Sequence, residues 1–230
     1  SPHFSCSWNP LLVPGLDRDA VESTAGEFHS CARKRDNRIV CWGLNDSGQL
    51  GDGTTSGGSP REIDLRPFAG KTVRKIDAGG AATCAVTVDG ALYCWGDTYM
   101  NVGNVADAAK RCTRDGKSVF CHKTPEKIYD YGIRDVAVGK RHACALGDLE
   151  RYGIFCFGDG HNPCTAFDTA CKLGWPKVAL ERVPANLVQL AAGNDFGCAI
   201  SGGGALYCWL DAGDNRYGKL GNGGFEISRT

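Results

Sequence analysis

The stretch "ATCAVTVDGALYCWG", residues 82–96, places Cys84 and Cys94 ten positions apart around a Val-Asp-Gly turn. The flanks "TCAVT" and "ALYCW" are rich in residues that suit strands, so the segment reads as a hairpin. A two-residue Asp-Gly loop would put the cysteines on opposite faces. A three-residue loop, Val88-Asp89-Gly90, pairs Thr87 with Ala91 and sets Cys84 opposite Cys94. That loop needs a left-handed third residue, which Gly90 supplies at no steric cost. Facing residues of a non-hydrogen-bonded pair lie roughly 4.5 Å apart at Cα, within disulfide range. The spacing predicts a cross-strand cystine.

Three more segments obey the same rule. Cys31 and Cys41 flank Arg35-Asp36-Asn37, with Asn37 at the left-handed place; Cys198 and Cys208 flank Gly202-Gly203-Gly204. Cys144 and Cys156 are twelve apart, as expected if two residues lengthen the loop symmetrically. Before each hairpin stands a glycine, at positions 26, 79, 139 and 193, giving intervals of 53, 60 and 54 residues. A short apolar alternation precedes the last three glycines, with the weaker "AVESTAG" before the first, and further upstream come Pro10, Pro60, Pro125 and Pro176. "NDSGQLGDGT" (45–54) and "NRYGKLGNGG" (215–224) follow the first and fourth hairpins only. Each unit has room for about four short strands, and helical periodicity is weak. A repeat of roughly 50 residues with four strands is the mark of a β-propeller blade, which must stack on neighbours to bury its faces. Trp42, Trp95, Phe157 and Trp209 follow the second hairpin cysteine, and Val40, Tyr93, Phe155 and Tyr207 precede it; both sets are expected to pack between blades.

The pattern "AGxxHTCALxxDGxVYCWGxNxxGQLGDG" resembles the regulator of chromosome condensation repeat family, especially its secreted, cysteine-bearing relatives. The matching residues are Gly26 to Gly53, Gly79 to Asp97, Gly139 to Asp159 and Gly193 to Gly223. The resemblance implies a propeller, usually of seven blades, whereas only four hairpins are present. The ends of the chain read as two halves of one unit. The expected fold is therefore all-β: one domain, 1–230, a propeller of about four blades (units roughly 1–59, 60–124, 125–175 and 176–230) closed by joining N- and C-terminal strands. Closure would remove exposed edges. An open arc completed by other blades or partner chains is the alternative.

Lysine plus arginine and aspartate plus glutamate number 26 each, and no basic run is longer than "ARKR" (32–35), which argues against nucleic acid. No apolar run is long enough to span a membrane. The absence of an initiator Met and of a signal peptide is expected of a processed N-terminus. Thirteen cysteines point to an oxidising place: the extracellular space, a cell surface or a bacterial periplasm. Besides the four hairpin pairs, Cys112 with Cys121 and Cys164 with Cys171 are expected to bridge, leaving Cys6 unpaired or joined externally. Each short loop so closed stabilises by roughly 2–3 kcal/mol. No close Cys or His pairs suggest zinc, "NDSGQLGDG" lacks the spacing of a calcium loop, and no cofactor motif is present.

Two insertions break the pattern, at 98–128 and 160–178, each after the same strand of its unit and so on the same face. Disulfide-braced loops on a rigid frame commonly hold binding surfaces. The candidates are Tyr99, Met100, Arg111, Arg114, His122, Phe167 and Trp175, of the types that anchor interfaces. His29 and His142 share one repeat position where other units have Ala82 and Phe196, which marks a structural role; no nucleophile–base pair stands out. The sequence thus reads as an extracellular protein-binding or assembly module without catalysis. Its rivals are a secreted enzyme inhibitor, which the resemblance suggests, and a carbohydrate-binding propeller. The nucleotide-exchange role of the family's nuclear members sits poorly with the cysteines.

Overall fold

The computed structural model describes residues 9–97, 111–114, 116–149, 152–158, 186–210, 215 and 217–224. They form four antiparallel sheets. The first holds β1 (Ala20–Ala25), β2 (His29–Lys34), β3 (Ile39–Gly43) and β4 (Gly58–Glu62). The second, ordered β5-β6-β7-β9-β8, holds β5 (Val73–Gly79), β6 (Ala82–Thr87), β7 (Leu92–Asp97), β8 (Arg111–Arg114) and β9 (Lys117–Tyr129). The third is β10 (Ile133–Val138), β11 (His142–Leu149) and β12 (Tyr152–Gly158); the fourth is β13 (Leu187–Ala192), β14 (Phe196–Ser201) and β15 (Leu206–Leu210). No helix among the described residues is long and apolar enough to cross a membrane.

The hairpin rule holds in register. Cys31 faces Cys41, Cys84 faces Cys94, Cys144 faces Cys156 and Cys198 faces Cys208, each bonded, with Cα atoms 4.0–4.1 Å apart. Asn37, Gly90 and Gly204 are left-handed, at φ 71°, 84° and 83°. The third loop is not lengthened symmetrically. Leu146 faces Ile154 and Leu149 faces Tyr152, so two residues on β11 oppose one on β12 as a bulge. Cys112–Cys121 is the fifth cystine. Cys6, Cys164 and Cys171 lie outside the described residues.

Three apolar clusters fill the three junctions between successive sheets. Cys31, Ile39, Cys41 and Leu50 pack on Ala85, Tyr93 and Trp95. Cys84, Val86, Leu92 and Cys94 pack on Val136, Ala143, Phe155 and Phe157. Cys144, Leu146, Ile154 and Cys156 pack on Leu187, Leu190, Ala199 and Trp209. The cystine face of each sheet thus meets the aromatic-bearing face of the next, as the flanking aromatics predict.

The inner strands β1, β5, β10 and β13 are sheet edges with unpaired N–H groups, which need acceptors when buried. Side chains of the preceding sheet supply them. Ile76 N donates to Glu22 Oε1 (3.2 Å), Ala78 N to Thr24 Oγ1 (2.9 Å), Val138 N to Asp77 Oδ2 (2.7 Å) and Leu190 N to Asp135 Oδ2 (2.7 Å). Lys75 Nζ also donates to Asp135 Oδ1. Pro60 and Pro125 lie in β4 and β9 beside breaks in the pairing to β3 and β7, where a missing N–H is tolerated. The strand that contains Pro60 therefore completes the first sheet.

Among the described residues no sheet joins the two chain ends. β1 to β4 all come from residues 20–62, and none of the other described residues covers the cystine face of the fourth sheet, where Leu206 is 65 % exposed. The sheets follow one another as an arc, and the expected single-chain closure is not seen.

Candidate functional site: the axial face

Antiparallel pairing brings the four inner turns to one end of the sheets. Gly26 N donates to His29 O, Gly139 N to His142 O and Gly193 N to Phe196 O, each at 2.8 Å, and Gly79 pairs with Ala82 in the second sheet. These glycines are required by approach. A Cβ on Gly79 would lie 2.1 Å from Val138 O, and one on Gly139 would lie 2.4 Å from Gly193 O. Backbone packs on backbone where the sheets converge. Between the turns is a cavity of about 310 Å³, lined by Gly26, Gly79, Gly80, Gly139, Gly193 and their neighbours.

Glu27 and Lys140 of the lining are charged, and Phe28 follows Glu27 in the chain. Lys140 Nζ donates to Glu27 Oε1 at 3.1 Å, tying the third sheet to the first. Phe28 is 66 % exposed and Leu44 41 %, and Leu44 N donates to Phe28 O at 2.8 Å, so the two exposed apolar side chains belong to adjacent segments. Phe28 occupies a turn position filled elsewhere by Ala81, Arg141 and Asp195. A large aromatic at a variable turn position is the signal that sequence reasoning passed over.

Both insertions leave from this end. β7 ends at Asp97 and β12 at Gly158, beside the turns. The stem of the first is braced: Arg114 pairs with the buried carboxylate of Asp97, Cys112 is bonded to Cys121, and the Arg111 guanidinium lies 4.3 Å over the Phe120 ring. Of the expected binding residues, Arg111 is exposed and Arg114 partly so. His122 is 4 % exposed and lies under the Asn45–Gly53 turn: a Cβ on Gly48 would sit 2.9 Å from its carbonyl, and Gly53 N donates to Lys123 O. It presents no surface here. Tyr99, Met100, Phe167 and Trp175 lie outside the described residues.

The turn after the first hairpin is a structural plug. Asn45 is fully buried; its Nδ2 donates to Asp52 Oδ1, Thr54 O and Ser56 O, each at 3.2 Å, and its Oδ1 accepts from Leu50 N at 2.9 Å. The "NDS" sequon therefore offers no free amide in the folded chain. Gln49 O accepts from Trp95 Nε1 and Thr83 Oγ1, both at 3.0 Å, and so locks the turn onto the second sheet.

Titratable groups inside the site serve structure. His29 Nε2 lies 2.9 Å from Thr83 Oγ1, and its buried Nδ1 meets no partner among the described residues. Burial lowers the His29 pKa to about 4, so the ring is neutral at physiological pH. Burial pushes the Asp77 carboxyl up against the opposing pull of Val138 N and Thr24 Oγ1. Among the described residues no group of three or more His, Cys, Asp or Glu is placed to hold a metal. What the geometry offers is a firm, mixed surface around an axial hollow.

Comparison with known proteins agrees with this geometry. The family model for the regulator of chromosome condensation (RCC1) repeat matches residues 24–49 and 73–101. Ultraviolet-B receptor UVR8 of Arabidopsis thaliana is 30 % identical over 235 residues, covering 94 % of this chain and 46 % of the receptor. Human probable E3 ubiquitin-protein ligase HERC3 is 27 % identical over 218 residues, covering 93 % of this chain and 19 % of the ligase. Human WBSCR16 superposes with a TM-score of 0.63 at 23 % identity, over 90 % of this chain and 50 % of that one. Yeast RCC1 (Prp20), solved bound to Kap60, superposes with a TM-score of 0.63 at 22 % identity, over 91 % of this chain and 48 % of that one. The chain spans less than half the length of these curated relatives.

Proposed function

The chain is an RCC1-like repeat protein, and from that premise we propose that it is an extracellular module which binds another protein through its axial face and performs no chemistry itself. The observation that carries this reading is the exposed Phe28–Leu44 pair, with Phe28 next in sequence to Glu27 of the cavity lining, at the end of the sheets from which both insertions depart. Exposed aromatic and aliphatic side chains with basic neighbours, held on a rigid frame, are what a protein interface uses as anchors. Lys140, paired with Glu27 beside Phe28 in the chain, supplies a basic neighbour. Yeast RCC1 in complex with Kap60 supports protein binding by this kind of fold. Five cystines among the described residues, four at one repeated place, support an oxidising location. The ligase relative is matched over 19 % of its length, and its activity is not part of the proposal.

The test is crosslinking capture of partners by the 230-residue chain from its native surroundings, beside Phe28→Asp and Leu44→Asp. Both side chains are exposed, so folding should be unchanged. A captured protein should bind each variant at least roughly tenfold more weakly, as loss of an interface anchor implies. Undiminished binding by both variants, or retention of glycans alone, would overturn the axial-face reading. Free thiols at the hairpin cysteines in native material would overturn the extracellular one.

A further inference from the structure

We propose that the β8–β9 ribbon of the first insertion takes an extended, acidic segment of a partner protein along the open edge of β8, where the Arg111 guanidinium reads its carboxylates. This contact belongs to the protein-binding function above and rests on it, but it does not use the Phe28–Leu44 surface. β8 ends the order β5-β6-β7-β9-β8, so one of its edges meets no strand among the described residues. The ribbon is held in one shape. Cys112 is bonded to Cys121, and Arg114 pairs with the buried carboxylate of Asp97 at the end of β7. Arg111 faces Phe120 in register; its guanidinium lies 4.3 Å over that ring, and its Nη1 donates to Ser118 Oγ at 3.0 Å. The side chain is exposed, and its Nε and Nη2 meet no acceptor among the described residues. A guanidinium laid flat on an aromatic ring, with part of its fork unused, is prepared for a carboxylate at little cost in ordering.

Charge selects the occupant. Residues 111–123 carry Arg111, Arg114, Lys117 and Lys123 against Asp115, in a chain whose charges balance at 26 of each sign. Asp97 answers Arg114, while Arg111 and Lys117 are exposed and meet no carboxylate among the described residues. Cations along a strand edge repel a basic strand and discourage a neutral one, so the edge admits an acidic strand best. Two observations favour a polypeptide over other polyanions. The open edge offers backbone N–H and C=O groups, which are matched by another backbone. The cations also form no row: strand alternation puts Arg111 and Thr113 on one face with Ser118 and Phe120, and Arg114 and Lys117 on the other. A nucleic acid or a sulfated glycan needs a continuous basic track. A strand with carboxylates at alternate positions can instead lay them along the Arg111 face while its backbone pairs with β8.

Calorimetric titration of the 230-residue chain with a short peptide alternating glutamate and threonine tests this. The peptide should bind at low salt and more weakly as salt is added. Arg111→Gln should bind it roughly tenfold more weakly. Arg111→Lys keeps the charge and loses the fork, and should fall between the two. Peptide mapping that finds Cys112 still bonded to Cys121 shows the ribbon intact in each variant. Glutamine in place of glutamate, or N-methylation of the whole peptide backbone, should abolish binding. Failure of the acidic peptide to bind, or equal binding by Arg111→Gln, would overturn the proposal. So would binding of the N-methylated peptide, which would leave charge without strand pairing. Tighter binding of a heparin oligosaccharide than of the peptide would assign the ribbon to a sulfated glycan and overturn it too. Phe28→Asp should leave peptide affinity unchanged. Peptide binding by a chain whose capture of partners is indifferent to Phe28→Asp would remove the Phe28–Leu44 surface and leave this contact standing; a silent peptide with capture intact would do the reverse.

Discussion

Lowering the pH from 7 to 4 should weaken this protein through His29. The ring is 3 % exposed, and Thr83 Oγ1 meets one nitrogen while the other is buried with no partner among the described residues. Its folded pKa is lowered by burial to about 4, against 6.5 for an ordinary histidine. Below pH 6.5 the unfolded chain takes up a proton that the folded chain refuses, so stability falls with pH through the window from 6.5 to 4. Linkage makes the loss from this group about 2 kcal/mol by pH 5 and about 3 kcal/mol by pH 4, flattening below that. The control is His29→Gln, whose amide reaches Thr83 and does not titrate. Asp77 works in the opposite sense. Its raised folded pKa gives a contribution that is present in acid and is lost as pH rises through that value. Both proteins contain Asp77, so it cancels in their difference. Urea unfolding of each at pH 7, 5 and 4 measures that difference. It should move by about 3 kcal/mol in favour of the variant between pH 7 and pH 4. A difference that stays constant within error would show that the ring is already charged or solvated in the fold, and would falsify the neutral-histidine account.

Two further outcomes follow from the packing. Replacing Cys84 and Cys94 by Ala, or Cys198 and Cys208 by Ala, opens loops of equal length, since both pairs are ten residues apart. Each should lose roughly 2–3 kcal/mol from the unfolded-state term alone. The first should lose at least about 1 kcal/mol more, because its sulfurs are enclosed and leave a cavity; equal losses in denaturant melts of dilute protein would contradict the junction packing. Gly79→Ala should cost roughly 1–3 kcal/mol by forcing the second and third sheets apart, while Gly203→Ala, with only Ser201 Oγ at 3.9 Å, should leave the melting temperature nearly unchanged. Similar melting of the two would remove close backbone approach as the reason for the axial glycines.

The hairpins were legible from residue order because their information is local. Ten-residue cysteine spacing, with Asn37, Gly90 or Gly204 at the left-handed place, leaves one register that brings the sulfurs together. The alternation of aromatics about each second cysteine likewise told which faces meet. The third loop shows the limit: Cys144 and Cys156 pair as expected, yet the extra length is taken up as a one-sided bulge, because the cysteine register says nothing about how a longer tip is divided.

The candidate site was legible only in part. Arg111 and Arg114 stand on a braced stem beyond the end of β7, whereas His122, offered by the same insertion, is covered by a turn from another unit. Phe28 and Leu44 went unnoticed because their exposure depends on what the converging turns leave open. Spacing and turn chemistry by themselves determined the strands, their pairing and the repeat. Tertiary structure alone decided that carboxylates such as Asp77 and Asp135 bridge neighbouring inner strands, that Asn45 and Pro60 belong to the junction and edge of the first sheet, and that none of the other described residues covers the cystine face of the fourth sheet. The reason is physical: register is set by contacts a few residues apart, whereas the angle between sheets sums many long-range contacts, and a small change in it decides whether a ring shuts.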